Sequence, residues 1–117
     1  MTVKWYAIYQ SGLEKIIESG LTGTEYDVLL YLFSVMETET NIVHIRQADI
    51  QRKLFKMQNK NQMKDKGTIS RSIKKLTDKR IIKIIKNGFM INPEIYYYGG
   101  NWFNLDDLIK EFDSTEE

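Results

Sequence analysis

The apolar positions of this chain fall into short blocks with two different periods. Residues 3–9, Val3-Lys4-Trp5-Tyr6-Ala7-Ile8-Tyr9, are rich in branched and aromatic side chains and predict a strand or extended arm. From Gln10 to Ser19 the spacing changes to that of a helix, with Leu13, Ile16 and Ile17 on one side. Thr22-Gly23-Thr24-Glu25 matches a capping box, and Leu21 and Tyr26 stand where a hydrophobic staple would close it. The helix that follows carries one apolar stripe, Tyr26, Leu29, Leu30 and Phe33, and a second, Val28, Leu32, Val35 and Met36. A helix apolar on most sides is buried on most sides, as the centre of the domain or as half of a dimer interface.

Beyond it, Ile42-Val43-His44-Ile45 predicts a short strand and Gln47–Phe55 a helix with Ala48, Ile50 and Leu54 inward. Residues 56–67 have no apolar period and read as a loop. Thr68–Lys79 predicts a third core helix. Ile81–Ile85, the turn Lys86-Asn87-Gly88 and Phe89-Met90-Ile91 predict a β-hairpin, because Asn-Gly between branched or aromatic runs favours a tight reversal. Asn92-Pro93 stops the second strand. Tyr96-Tyr97-Tyr98 and Gly99-Gly100 follow, then a helix over 105–112.

Helix, strand, helix, helix and hairpin in this order give an α+β, mainly α fold: a winged helix-turn-helix with a C-terminal hairpin wing and an appended C-terminal helix. The expected organisation is one domain over 1–117, with its core at about 10–98 and the helix 105–112 as a candidate for dimerisation.

Net charge adds what the pattern alone does not show. The chain as a whole is only +1, yet residues 46–86 hold 14 of the 17 basic residues and three of the 16 acidic ones. That segment is therefore +11 and the remainder −10. A strongly basic middle calls for a polyanionic partner. In the helix 68–79, Ile69, Ile73 and Leu76 share one face and Arg71 lies nearly opposite, flanked by Lys74 and Lys75. Thr68 and Ser70 lie near the amino-terminal rim. This division suits a recognition helix, whose apolar side locks it to the domain while its polar side reaches base edges and phosphates. Arg71 is the expected base reader, since its fork matches O6 and N7 of guanine. Lys74 and Lys75 are expected on phosphates. The bland reading of the same helix is a solvated cationic face.

At the hairpin, Lys83, Lys86 and Asn87 are further candidate DNA contacts, against the plainer reading of a turn kept soluble by lysine. Residues 56–67 offer Lys60, Lys64 and Lys66, which either fold down onto phosphate or belong to an insertion that repels itself.

Other chemistry finds little footing. The chain has no cysteine and one histidine, His44, so a zinc site is not expected, nor any cofactor. Asp106 and Asp107 are adjacent and diverge on a helix, where they fit as charges at its amino end. Gly99-Gly100 lacks the Lys-Ser or Lys-Thr of a phosphate loop. No catalytic constellation is present, and the expected protein is not an enzyme. The Tyr96–Tyr98 run with Trp102 and Phe103 offers stacking on single-stranded bases, but its acidic setting favours packing, against a second subunit. With no leader and no apolar run of membrane length, the expected address is the cytoplasm.

The segment Ile45–Leu54 followed by Thr68–Leu76 resembles the helix-turn-helix of many winged bacterial regulators. Gly88-Phe89-Met90-Ile91-Asn92-Pro93-Glu94-Ile95-Tyr96-Tyr97-Tyr98-Gly99-Gly100 is similar to the wing and exit of plasmid replication proteins of the RepL type from Gram-positive bacteria. The helix from Gly23-Thr24-Glu25 to Met36 also resembles that family's first core helix. The resemblance spans roughly residues 3–103. It implies a DNA binder acting in plasmid or phage replication or copy control, with host replication proteins as further partners. This chain is shorter than expected of an initiator, and its 56–67 stretch is longer than a tight turn, which leaves room for a purely regulatory role. The expected activity is therefore sequence-specific, non-catalytic binding of double-stranded DNA, as a homodimer and without a membrane. The rivals are a transcriptional repressor of the same fold and a winged-helix module that binds protein.

Overall fold

The computed structural model describes residues 5–59, 63–99 and 105–114, without the side chains of Trp5, Tyr6 and Tyr98. Its elements run β1 (Trp5–Ile8), α1 (Gln10–Glu18), α2 (Gly23–Val35), β2 (Ile42–Val43), α3 (Gln47–Gln58), α4 (Lys66–Asp78), β3 (Ile82–Ile85), β4 (Gly88–Ile91), β5 (Tyr96–Gly99) and α5 (Leu105–Ser114). The result is an α+β fold of helices with two small antiparallel sheets, one ordered β2-β4-β3 and the other pairing β1 with β5. Among the described residues no helix is long and apolar enough to cross a membrane.

Helix α2 is the hub. Val28, Leu29, Tyr31, Leu32 and Phe33 are buried, and α3 and α4 both pack on it. Of the two alternatives for its apolar excess, the centre of the domain accounts for most of it. Tyr26, Leu30 and Val35 stay exposed. The capping box forms: the Glu25 carboxylate accepts the Thr22 N–H at 3.0 Å and also the Thr22 hydroxyl.

Strand alternation gives the three-stranded sheet two apolar faces. Val43, Ile82, Phe89 and Ile91 enter the main core with α2, α3 and α4. Met90 points the other way, into a second cluster with Tyr97, Leu108 and Phe112, to which Ile42, Ile85 and Leu105 add. Helix α5 is therefore the lid over the outer face of the sheet.

The segment expected as loop over 56–67 is shorter than predicted. Helix α3 runs on to Gln58 and stops where Asn59 turns left-handed, at φ 51°. Helix α4 begins at Lys66, because the carboxylate of Asp65 caps it by accepting the Thr68 N–H at 2.7 Å. Two bonds tie this region to its neighbours: Gln51 Nε2 of α3 donates to the Lys64 carbonyl at 2.6 Å, and Gln58 Nε2 at the end of α3 donates to Asp27 at 2.8 Å.

At its far end α4 closes with a Schellman motif. The Ile81 N–H reaches the Leu76 carbonyl and the Arg80 N–H the Thr77 carbonyl, both at 3.0 Å, with Arg80 left-handed at φ 58°. The hairpin forms with Ile85 opposite Gly88, so that Lys86 and Asn87 make the turn and Asn87 takes φ 68°. Gly88 answers a different need. A Cβ there would sit inside the carbonyl oxygen of Val43, so glycine is what lets β2 lie alongside β4.

Two asparagines fasten the hairpin. Asn41 is fully buried with φ 59°, and its amide donates to the Ile91 carbonyl at 3.2 Å and the Tyr96 carbonyl at 2.7 Å. Asn92 donates to the Arg80 carbonyl at 2.8 Å and accepts from the Glu94 N–H at 2.9 Å, a side-chain turn that bends the chain toward β5. The Asn-Pro of the replication-protein resemblance thus has a local structural task. Two residues of the aromatic run turn into the chain: Tyr96 stacks on Phe33 at 4.2 Å between ring centres, and Tyr97 is fully buried with its hydroxyl on Glu39 at 2.6 Å. These two tyrosines are therefore not free for a second subunit. Trp102 and Phe103 lie outside the described residues.

Candidate nucleic-acid interface

Helix α4 buries Ile69, Ser72, Ile73 and Leu76, as its period predicts. Its outward side carries Lys66, Ser70, Arg71 and Lys74, all exposed. One flank borders a groove lined by Gln47 at the start of α3, by Ser70, Ile73, Lys74, Thr77 and Asp78 of α4, and by Ile84 of β3. The polar side of α4 is therefore framed by the amino end of α3 and by the hairpin, whose turn presents Lys86 and Asn87 to solvent.

Arg71 folds back along the first turn of its own helix, with Nη2 3.3 Å from the Thr68 hydroxyl. Gly67 leaves the space it occupies, since a Cβ there would stand 3.0 Å from Nη1. Hydrogen bonds from Thr68, with Arg71 nearby, hold the Asp65 carboxyl below its usual range against a smaller opposing effect of burial. Lys74 pairs with Asp78 one turn on, at 3.0 Å, and its side chain is 76% exposed. Such a pair is weak in water and easily exchanged for another anion. Among the described residues Lys66, Arg71 and Lys86 make no ion pair.

Three of the candidate lysines point elsewhere. Lys75 leans toward α2, with Nζ 3.1 Å from Glu25 and 2.8 Å from the Gly20 carbonyl. Lys64 lies 4.0 Å from Asp27 and is mostly covered. Lys83 sits two residues inside the hairpin rather than at its tip; it donates to the Phe112 carbonyl at 2.7 Å and lies 5.7 Å from the Phe112 ring centre. Lys60 lies outside the described residues.

Gln47 is the residue that sequence reasoning missed. It lines the groove between α4 and the hairpin and a second cleft shared with Ala48, Gln51, Lys66 and Ile69. Its position as the first residue of α3, next to a helix meant to carry the contacts, was the available signal. Arg46 just before it is exposed and bound to Asp49 at 3.2 Å, while Arg52 reaches the same carboxylate from the other side. Those bonds, Arg46's foremost, hold Asp49 below the usual carboxylate range against the opposing pull of burial. His44 is exposed and 3.4 Å from Glu37. Among the described residues no cluster of three acidic, histidine or cysteine side chains is placed to hold a metal.

The arrangement offers donors and cations on the outward side of a helix beside a ribbon. Comparison with known proteins finds no family model, no curated protein and no solved structure that matches this chain.

Proposed function

We propose that the chain is a winged-helix protein that binds double-stranded DNA by sequence, without catalysis, with α4 as the recognition helix and the β3–β4 hairpin as the wing. The observation that carries this reading is the groove between them. It places Ser70 and Lys74 of α4, Gln47 of α3 and Ile84 of the hairpin on one surface, next to exposed Arg71 and Lys66. A helix that enters the major groove needs long donors on its outer side and a second element to grip the adjacent backbone.

Within this reading Arg71 reads a base, Ser70, Thr68 and Gln47 assist, and Lys66, Lys74, Lys86 and Asn87 meet phosphates. Lys64, Lys75 and Lys83 are held by the protein and stay outside the contact set. One small wing covers a limited length of DNA, so binding as a two-fold pair, on a palindromic site, belongs to the proposal. The resemblance of Gly88–Gly100 to replication proteins of the RepL type supports a site in a plasmid or phage origin or its control region.

The test is titration with duplex DNA at two salt concentrations. Binding through about six to eight phosphates weakens by orders of magnitude between about 50 and 200 mM salt. No binding at low salt would overturn the reading in favour of a protein partner. Footprinting of fragments selected from the replicon then separates an origin from a promoter, which would make the protein a repressor.

A further inference from the structure

Helix α5 does more than cover the sheet. Its carboxyl end reaches the corner where α4 runs into β3 and meets two cations there. Asp113 pairs with Arg80 at 2.7 Å, and the Phe112 carbonyl takes Lys83. Arg80 and Lys83 both stand 5.7 Å from the centre of the Phe112 ring. The small cleft between them is lined by Thr77, Arg80, Ile82, Lys83 and Phe112. Thr77 also lines the groove between α4 and the hairpin, so the two clefts adjoin. The acidic end of the chain thus meets its basic middle at the edge of the surface assigned above to DNA.

We propose that α5 regulates that surface as a built-in competitor: the Asp113 carboxylate occupies Arg80 where a DNA phosphate would otherwise bind. The proposal rests on the DNA-binding reading and adds its regulation. Arg80 and Asp113 are both about half exposed, at 59% and 53%, so neither is locked in place by packing. An exposed ion pair is worth little and exchanges readily. A phosphate arriving along the rim of α4 needs only to displace one carboxylate. Arg80 itself stands at the left-handed end of α4, so its backbone belongs to this rim. Any change that neutralises Asp113 or draws α5 away adds one cation to the DNA contact.

The test is a mutant cycle read by duplex binding over a range of salt. Asp113→Asn should tighten binding by about two- to fivefold at low salt, the scale of an exposed pair. It should also steepen the log–log salt dependence by about 0.9, the value of one more phosphate contact. Arg80→Gln alone should leave affinity close to that of the unmodified protein. In the double variant Arg80→Gln/Asp113→Asn the gain should vanish. An Asp113→Asn protein that binds no tighter, or one whose gain survives the loss of Arg80, overturns the proposal. Absence of binding by the unmodified protein at low salt would instead reject the DNA reading beneath it.

Discussion

Lys75 of α4 places its ammonium 3.1 Å from the carboxylate of Glu25 and 2.8 Å from the carbonyl of Gly20, so the helix proposed to read DNA is tied to the first turn of α2. Burial by itself pushes the Glu25 carboxyl up. The hydrogen bonds from Thr22 and the nearby Lys75 outweigh it and hold the group below its usual range.

A carboxyl depressed in the folded state stabilises the fold above its unfolded pKa, about 4.3, and that contribution is lost as pH falls through the folded value. Lys75→Gln should therefore cost about 1 kcal/mol at neutral pH, the modest figure expected when about a third of the lysine remains exposed to screening solvent. The difference between the two proteins should shrink as pH falls through the lowered folded-state value of Glu25, below which the carboxyl is protonated in both. Urea unfolding at several pH values measures it. The salt slope of DNA binding should stay unchanged; a slope lower by one would return Lys75 to the phosphate contacts.

Arg71→Ala should cost about 1–3 kcal/mol of binding to the preferred duplex and relax selectivity at one base position. Lys74→Ala should weaken all sequences alike and flatten the salt slope by about one unit. Competition binding against a set of single-position variants of the site distinguishes them. Equal loss across all variants for Arg71→Ala would take away its role as reader.

Gly88→Ala addresses the meeting of β2 and β4. The added methyl would overlap the Val43 carbonyl, backbone against backbone, with no flexible side chain to yield. Overpacking of this kind costs about 1–3 kcal/mol. Amide exchange should quicken at Ile42 and Val43 before it does in α2. A protein of unaltered stability would mean that the hairpin has room to shift.

Asn41 combines two demands that substitutions separate. Asn41→Gly keeps a residue at ease with φ 59° but removes the two buried hydrogen bonds to the Ile91 and Tyr96 carbonyls, at about 1–3 kcal/mol. Asn41→Ala adds the strain of a left-handed backbone, about 1 kcal/mol more. Thermal or denaturant unfolding of both should place Ala below Gly. The reverse order would show that the backbone angle carries no cost here.

The elements that were legible in the sequence are those fixed by near neighbours. The capping box at Thr22 and Glu25, the apolar face of Ile69, Ile73 and Leu76, and the reversal at Lys86-Asn87 each depend on residues within a turn or two. The start of α4 was missed because Gly67 weakens the helical pattern, although Asp65 three residues before Thr68 is a fair capping signal. The end of α3 was hidden by a polar last turn that only Asn59 closes. The direction of a lysine was least legible. Lys74 and Lys75 differ by 100° of helix, and the partner that claims Lys75 lies 50 residues away in the chain. Lys83 is expected among the contacts of the wing tip, yet the register puts it on the α5 side of the sheet. The aromatic run is legible as packing but its partner is not, because stacking of Tyr96 on Phe33 across 63 positions leaves no local trace.

The pairing of Trp5–Ile8 with Tyr96–Gly99 has a consequence for how the molecule assembles. Closing so long a stretch of chain is costly in entropy until the intervening parts have already drawn its ends together. The seam should therefore be among the last parts of the molecule to form. That two-stranded seam should also be the first to part when the folded protein breathes.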